Sequence, residues 1–338
     1  MRALTLVADR KIELTDMAPP AAPLAGEVQV RIKAVGLNHL DLWGFRGMAF
    51  AKRKLPLVVG AEAAGEIAAI GPGVAAFGPG DRVVMYGALT CGTCKACQEG
   101  RDNLCENVKG ILGFHVDGFA RDLINMEARL VIPVPDGVSL RDAACAPIAF
   151  GTVQHMLFDN AKLQPGETIL VHAGGSGIGT AAIKMAKQIG CTVITTVGDD
   201  AKIEKAKALG ADHVINYRVD RFETIVRKLT AKKGVDVVFE HTGKDTFPGS
   251  LLVLKRGGRL VTCGATSGAT GPPCPPRRWR MRSGAKCKRS IPIFQRRSAP
   301  RRFRNIWRGG INTEEPAACC SWSSRRSRWC WRRSDSMR

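Results

Sequence analysis

The stretch ETILVHAGGSGIGTAAIKMAKQIG, residues 167–190, joins an apolar strand to an amphipathic helix through a glycine-rich turn. ETILVHA has the apolar content of a buried strand, and Gly190 stops the helix that follows. Further along, CTVITTV (191–197) reads as a strand, AKIEKAKALG as a helix ending at Gly210, and HVINY as a third strand. In RFETIVRKLT the apolar residues Phe222, Ile225, Val226 and Leu229 fall on one helical face. VDVVFEH (235–241), a short helix and RLVTCGA (259–265) complete the alternation. Strands alternating with helices predict a parallel, doubly wound sheet, an α/β fold.

In that setting Gly174, Gly175, Ser176, Gly177, Ile178 and Gly179 are candidates for holding a dinucleotide. Small residues let the backbone approach a pyrophosphate, and the helix start offers free N–H groups and the positive end of its dipole. A merely tight turn is the alternative. NAD and NADP both remain open. Asp199 and Asp200 lie about 20 residues past the last glycine, the spacing of a ribose-binding acid, or they cap the next helix. Lys202 follows them and suits a 2′-phosphate.

Residues 1–150 read differently. VQVRIKAVGL (28–37), AAGEIAAIG (63–71), DRVVMY (81–86), GFARDLINM (118–126) and RLVIPV (129–134) are short segments separated by Gly, Pro and Asp turns. They predict a compact β-barrel-like domain. The opening MRALTLVADRKIELTDM has no apolar signal core, and no apolar run approaches a membrane span. The expectation is a soluble cytoplasmic protein, in which thiols stay reduced.

The formal net charge is +21, with 51 Lys+Arg against 30 Asp+Glu. Residues 271–338 hold 19 and 3 of these, a net of +16, which leaves +5 for residues 1–270. That terminal segment also carries five of the six Trp and five of the twelve Cys, and contains no Leu or Val. It buries little aliphatic surface and shows no helical or strand period. Three readings compete: an Arg/Trp tail that binds nucleic acid or anionic lipid, a disordered extension, and a coding sequence read in a shifted frame.

The stretches GEVQVRIKAVGLNHLDLWGFRGM, GPGVAAFGPGDRV, CGTCKACQEGRDNLC, the glycine turn with its flanks, KAKALGADHVINY, GVDVVFEHTG and GGRLVTCGATSG together resemble the medium-chain dehydrogenase/reductase superfamily, over residues 1 to about 268. The resemblance implies a GroES-like catalytic domain over 1–150 and a truncated Rossmann domain over 151–268. It also implies a substrate cleft between the two, and a homodimer. It adds cofactor contacts at Thr152, His241 and Gly264; for Thr152 a helix cap is the alternative. The family's closing elements have no counterpart in 269–338, which favours the shifted-frame reading of the tail and makes dimerisation doubtful.

Cys91, Cys94, Cys97 and Cys105 match the family's structural zinc lobe, residues 91–105. Four thiolates at short spacing suit a closed tetrahedral zinc with no position left for substrate. The catalytic zinc of the alcohol dehydrogenases is another matter. Its three ligand positions fall at Asn38, Ala61 and near Ile148, none of which binds zinc well. Glu62 reads as a lone carboxylate, and His39, His115 and His155 as structural histidines rather than substitute ligands.

Asn38 and Asp41 instead fit the G-x-N-x-x-D stretch of the zinc-independent quinone and enoyl reductases. Reducing a polarised C=C bond requires only hydrogen-bond donors for the developing enolate. Asn38 is then a candidate donor, Asp41 an orienting residue, and Tyr86 a candidate proton donor. The expected function is NAD(P)H-dependent reduction of a small enone, quinone or enoyl thioester with one structural zinc. The alternatives are a zinc alcohol dehydrogenase with unusual ligands and a nicotinamide-binding protein without catalysis. Nucleic acid and membrane are not expected partners.

Overall fold

The computed structural model describes residues 1–47 and 53–268, together with the backbone of three short strands farther on. The rest of 269–338, and with it the choice among the three readings of the tail, lies outside the described residues. Among the described residues no helix is long and apolar enough to cross a membrane. The chain divides into two compact units between Ile148 and Ala149.

The first unit is built of β1 (Arg2–Ala8), β2 (Lys11–Asp16), β3 (Glu27–Gly36), α1 (His39–Arg46), β4 (Leu57–Val58), β5 (Glu62–Ile70), β6 (Arg82–Met85), α2 (Lys95–Gln98), β7 (Leu123–Glu127), β8 (Val131–Pro133) and α3 (Leu140–Ala144). Its antiparallel sheets have the orders β7-β3-β5-β6-β8 and β2-β1-β4. Alternation along β3 sends Val28 and Val30 inward, where they meet Ile67, Val83, Met85, Phe119, Ile124 and Met126 in one apolar cluster. Burying each such side chain contributes about 1.5–3 kcal/mol. The strand expected over 118–126 begins only at Leu123; the residues before it run through backbone bonds such as Phe119 N–H to Gly60 O.

The second unit opens partway along a helical run that starts at Ala146. Two π-helical stretches, Ala146–Phe150 and Gln154–Asn160, flank α4 (Gly151–Val153). There follow β9 (Thr168–Val171), α5 (Gly177–Gln188), β10 (Thr192–Val197), α6 (Ile203–Ala208), β11 (His213–Asn216), α7 (Phe222–Leu229), β12 (Val235–Glu240), α8 (Phe247–Leu252) and β13 (Leu254–Thr262). They form the expected parallel sheet, in the order β11-β10-β9-β12-β13. A two-residue strand, β14 (Lys286–Cys287), pairs parallel with the β13 edge.

Chain order reverses between β9 and β12, so the loops after these two strands flank the switch point where open α/β sheets bind ligands. The face of α7 is narrower than its spacing predicts. Phe222 and Val226 are buried, but Leu229 is 41% exposed at the helix end. In the tail, β15 (Ala318–Trp322) and β16 (Trp329–Arg333) pair antiparallel, although no strand period marks them in the sequence. Trp and Cys tolerate a pleated backbone despite the lack of a period-two pattern.

Candidate active site

The glycine turn sits where β9 ends. Ser176 caps α5, its Oγ accepting from Gly179 N–H at 2.9 Å. Two of the glycines are dictated by packing. A Cβ on Gly174 would lie 2.3 Å from Thr195 Oγ1, and one on Gly179 would lie 2.2 Å from Ala173 O. Gly175 and Gly177 are exposed, and a Cβ on Gly177 would meet nothing. The inner glycines let helix and strand close up. The outer ones leave bare backbone beside the first, unpaired N–H groups of a 12-residue helix, a cradle that fits a pyrophosphate.

Both candidate ribose acids are engaged. Asp199 Oδ1 accepts from Ala201 N–H at 3.0 Å, capping the turn Asp200–Lys202, and Asp200 Oδ1 accepts from Asn216 Nδ2 at 2.7 Å. Lys202 lays its methylenes along Gly175, its Cδ 3.2 Å from where a Cβ would stand. Its exposed ammonium therefore belongs to the rim of the glycine turn. Tyr217 covers Gly198 in the same way, a neighbour that the sequence reading did not single out.

Under the turn lies a fully buried polar network. His172, at the end of β9, donates from Nε2 to Ser250 Oγ at 2.9 Å, and Ser250 donates to Glu240 Oε2 at 2.7 Å. Thr196 Oγ1 lies 3.2 Å from His172 Nδ1. Glu240 Oε1 takes the N–H groups of Thr242 and Gly243, and the Thr246 hydroxyl adds a third donor. Burial pushes His172 down to about 4, so its ring is neutral and one nitrogen must accept while the other donates. His241 Nε2 donates to His172 O at 2.8 Å, which places it under the turn, and Gly264 packs against the His241 backbone. Sequence reading missed Glu240 and His172, because only the parallel pairing of β12 with β9 makes them neighbours. Thr152 lies inside the continuous helical run, not at its start, so the helix-cap alternative is corrected.

In the first unit, Asn38 precedes α1. Its backbone N–H donates to Asp41 Oδ2 at 2.7 Å, which ties Asp41 to the turn before α1. Its Nδ2 donates to Glu62 Oε1 at 2.8 Å, and the other carboxyl oxygen, Oε2, accepts from Ile148 N–H at 2.7 Å. Glu62 is only 2% exposed and packs over Gly36, where a Cβ would stand 2.5 Å from Oε1. Burial, and secondarily the charge of Asp41, raise Glu62 to about 7 against the pull of its two donors. The lone carboxylate of the sequence reading is thus corrected: Glu62 ties Asn38 to Ile148.

Tyr86 packs against the apolar cluster of the first unit, with its backbone bonded to Leu130. His39 stands edge-on to Trp43, His115 Nδ1 accepts from Ile111 N–H, and His155 faces Asp159 at 3.1 Å.

The sulfur atoms of Cys91, Cys94, Cys97 and Cys105 all lie within 4.8 Å of one another, and none of the four is in a disulfide. Cys91 and Cys97 are 3.9 Å apart, near the edge of about 3.8 Å expected for tetrahedral zinc thiolates. The N–H groups of Cys94 and Thr93 hold Cys91 down at about 5, whereas burial pushes Cys97 up to about 12, so a bound cation is what would make both thiolates. The set fits zinc.

A family profile described as alcohol dehydrogenase GroES-like domain matches residues 24–136, and one described as zinc-binding dehydrogenase matches 177–294. A sorbitol dehydrogenase of Bacillus subtilis (strain 168) is 35% identical over 272 residues, covering 79% of this chain and 76% of its own. The chain belongs to the medium-chain dehydrogenase/reductase superfamily. Members of both chemical types are similar to this oxidoreductase. An acryloyl-coenzyme A reductase of Metallosphaera sedula is 32% identical, covering 83% of this chain and 79% of its own. The crystal structure of an NAD-dependent alcohol dehydrogenase superposes with a TM-score of 0.76 at 41% identity, covering 80% of each chain. As a medium-chain oxidoreductase the protein uses a nicotinamide dinucleotide, which the cradle at Gly175 and Gly177 fits.

Proposed function

We propose that this enzyme reduces a carbon–carbon double bond conjugated to a carbonyl, using NADPH, and that its zinc is structural. One observation carries the reading. The positions of Asn38 and Ile148, where the resemblance puts catalytic zinc ligands, hydrogen-bond instead to a single buried carboxylate. That arrangement supports a hydrogen-bonding site. The nicotinamide, when bound, supplies hydride to the β carbon, leaving enolate character on the carbonyl oxygen. Asn38 offers an amide donor to that oxygen, and Asp41 fixes the turn that carries it. The start of α5 holds the pyrophosphate, with Thr152, His241 and Gly264 as further cofactor contacts. Lys202 pairs with a 2′-phosphate, a reading favoured because Asp199 and Asp200 are occupied by other donors. Cys91, Cys94, Cys97 and Cys105 brace their lobe with one zinc.

The test is NADPH oxidation against a panel of enones, quinones and enoyl thioesters, with zinc counted per chain. Turnover, one zinc and a rate indifferent to mild chelation are expected. Steady oxidation of simple alcohols, lost on chelation from a protein holding two zincs, would establish the zinc dehydrogenase instead.

A further inference from the structure

We infer that Thr196 and His241 are positioning residues for the dinucleotide: they clamp the peptide between His172 and Ala173 from its two sides, and so set the direction in which the glycine turn leaves the sheet. The inference rests on the reading of that turn as the pyrophosphate cradle, and not on the reductase chemistry.

The ladders that join β9 to β10 and to β12 both end at Val171. The 172–173 peptide comes just after them and has no strand residue paired with it. Side chains take over. His241, which follows β12, donates from Nε2 to His172 O at 2.8 Å. Thr196 Oγ1, on β10, accepts from Ala173 N–H at 3.1 Å. One peptide is thus held at both of its polar atoms by the two strands that flank β9.

The residue that follows needs the hold. Ala173 has φ +48°, in the left-handed region that alanine enters only at a cost. Rotation about its N–Cα bond toward an ordinary φ would swing the glycines after it. Ser176 N–H bonds to Ala173 O inside the turn and moves with it. Gly174 N–H bonds to Thr196 O at 2.9 Å, a single tether that leaves a hinge. The clamp before Ala173 removes the hinge.

The direction of each bond is fixed. A carbonyl oxygen only accepts, so His241 carries a proton on Nε2. On the other side, Ser250 gives its proton to Glu240 and receives one from His172 Nε2, which leaves Nδ1 of the neutral His172 ring bare. The Thr196 hydroxyl, 3.2 Å from that nitrogen, donates to it. Its lone pairs are then left for Ala173 N–H. The buried chain that begins at Glu240 therefore ends by aiming the Thr196 oxygen at the peptide.

The experiment titrates NADPH and NADH by fluorescence into the full-length protein, without substrate. Thr196→Val keeps the shape and loses the oxygen, and it raises Kd for both cofactors about ten-fold. Thr196→Ser keeps the oxygen and stays within about two-fold of the wild type. Ala173→Gly, added to Thr196→Val, recovers most of the loss, because glycine holds the left-handed conformation without a clamp. A threonine of merely structural role would lower the melting temperature of Thr196→Val and leave Kd alone. That result overturns the inference, as does a double variant that binds no better than Thr196→Val. Should Thr196→Val not fold, the imidazole ¹⁵N resonances of the wild type decide, assigned by their loss in His172→Gln and His241→Gln. Both rings carry their proton on Nε2, and a neutral ring protonated on Nδ1 at either position overturns the inference. A protein that binds dinucleotide in this pattern but turns over no enone loses only the reductase reading. A wild type that binds neither cofactor loses the cradle, and this inference with it.

Discussion

At Lys202 the choice between two cofactors comes down to one side chain. Spacing alone leaves two acids and a lysine as competitors for the ribose. The structure assigns Asp199 and Asp200 to Ala201 N–H and Asn216 Nδ2, partners 2 and 16 residues away in sequence. An acid already accepting a hydrogen bond competes poorly for two ribose hydroxyls, while an exposed ammonium at the rim of the turn gains a phosphate. Replacing Lys202 by Ala therefore raises KM for NADPH about ten-fold, the loss of a single exposed charge-assisted contact worth about 1.4 kcal/mol. KM for NADH changes less than two-fold, within about 0.4 kcal/mol. Steady-state titration of each cofactor at saturating enone measures this, and equal effects on both would remove Lys202 from the 2′-phosphate site. The Asp199 cap was legible, because an acid before a helix is a familiar pattern. The Asp200–Asn216 bond was not, because it joins the turn before α6 to the end of β11 through the fold.

Elements read well from the sequence wherever period and punctuation agreed. The turn over 173–179 was legible because a strand, small residues and a helix come in that order, and the parallel sheet followed from their repetition. Less visible were the π-helical stretches around Thr152, since an extra residue per turn leaves no mark on an apolar pattern. The four glycines of the turn look alike as letters but do different work. Gly179→Ala would drive a methyl group to 2.2 Å from Ala173 O, and neither backbone can yield without moving α5 from β9. Gly177→Ala meets nothing. The former is expected to abolish nucleotide binding by fluorescence titration and to lower the melting temperature by several degrees, for a cost of about 1–3 kcal/mol. The latter keeps the wild-type melting temperature and binds more weakly, because its methyl occupies the open cradle. The reverse order of the two variants would show that the turn packs differently.

Across the whole molecule, the part least legible from sequence is the pairing of buried charges with their partners. Glu62 meets groups 24 and 86 residues away, and His172 meets one 78 residues away, so no local pattern announces either. Their effects on stability have opposite signs. Glu62 is raised from 4.5 to about 7, so the folded chain holds its proton more tightly than the unfolded one. Its stabilisation is complete below pH 4.5 and is lost as pH rises through about 7. His172 is lowered from 6.5 to about 4, so its stabilisation is complete above pH 6.5 and is lost as pH falls through about 4. Each shift corresponds to roughly 3–4 kcal/mol at about 1.4 kcal/mol per pH unit. Between pH 4.5 and pH 6.5 the two terms run against each other and nearly cancel. Removing one exposes the other. In urea unfolding followed by circular dichroism, Glu62→Gln should lose stability on acidification from pH 6.5 to pH 4.5, by up to about 3 kcal/mol relative to the wild type. His172→Gln keeps a donor for Ser250 and should gain stability over the same interval, whatever the substitution costs at neutral pH. The two sites lie in different units, so each change appears in the transition that unfolds its own unit, or in both if they unfold together. Parallel pH profiles for the wild type and both variants would mean that neither group titrates away from its unfolded value, and the buried charges would have to be neutralised by partners other than those described.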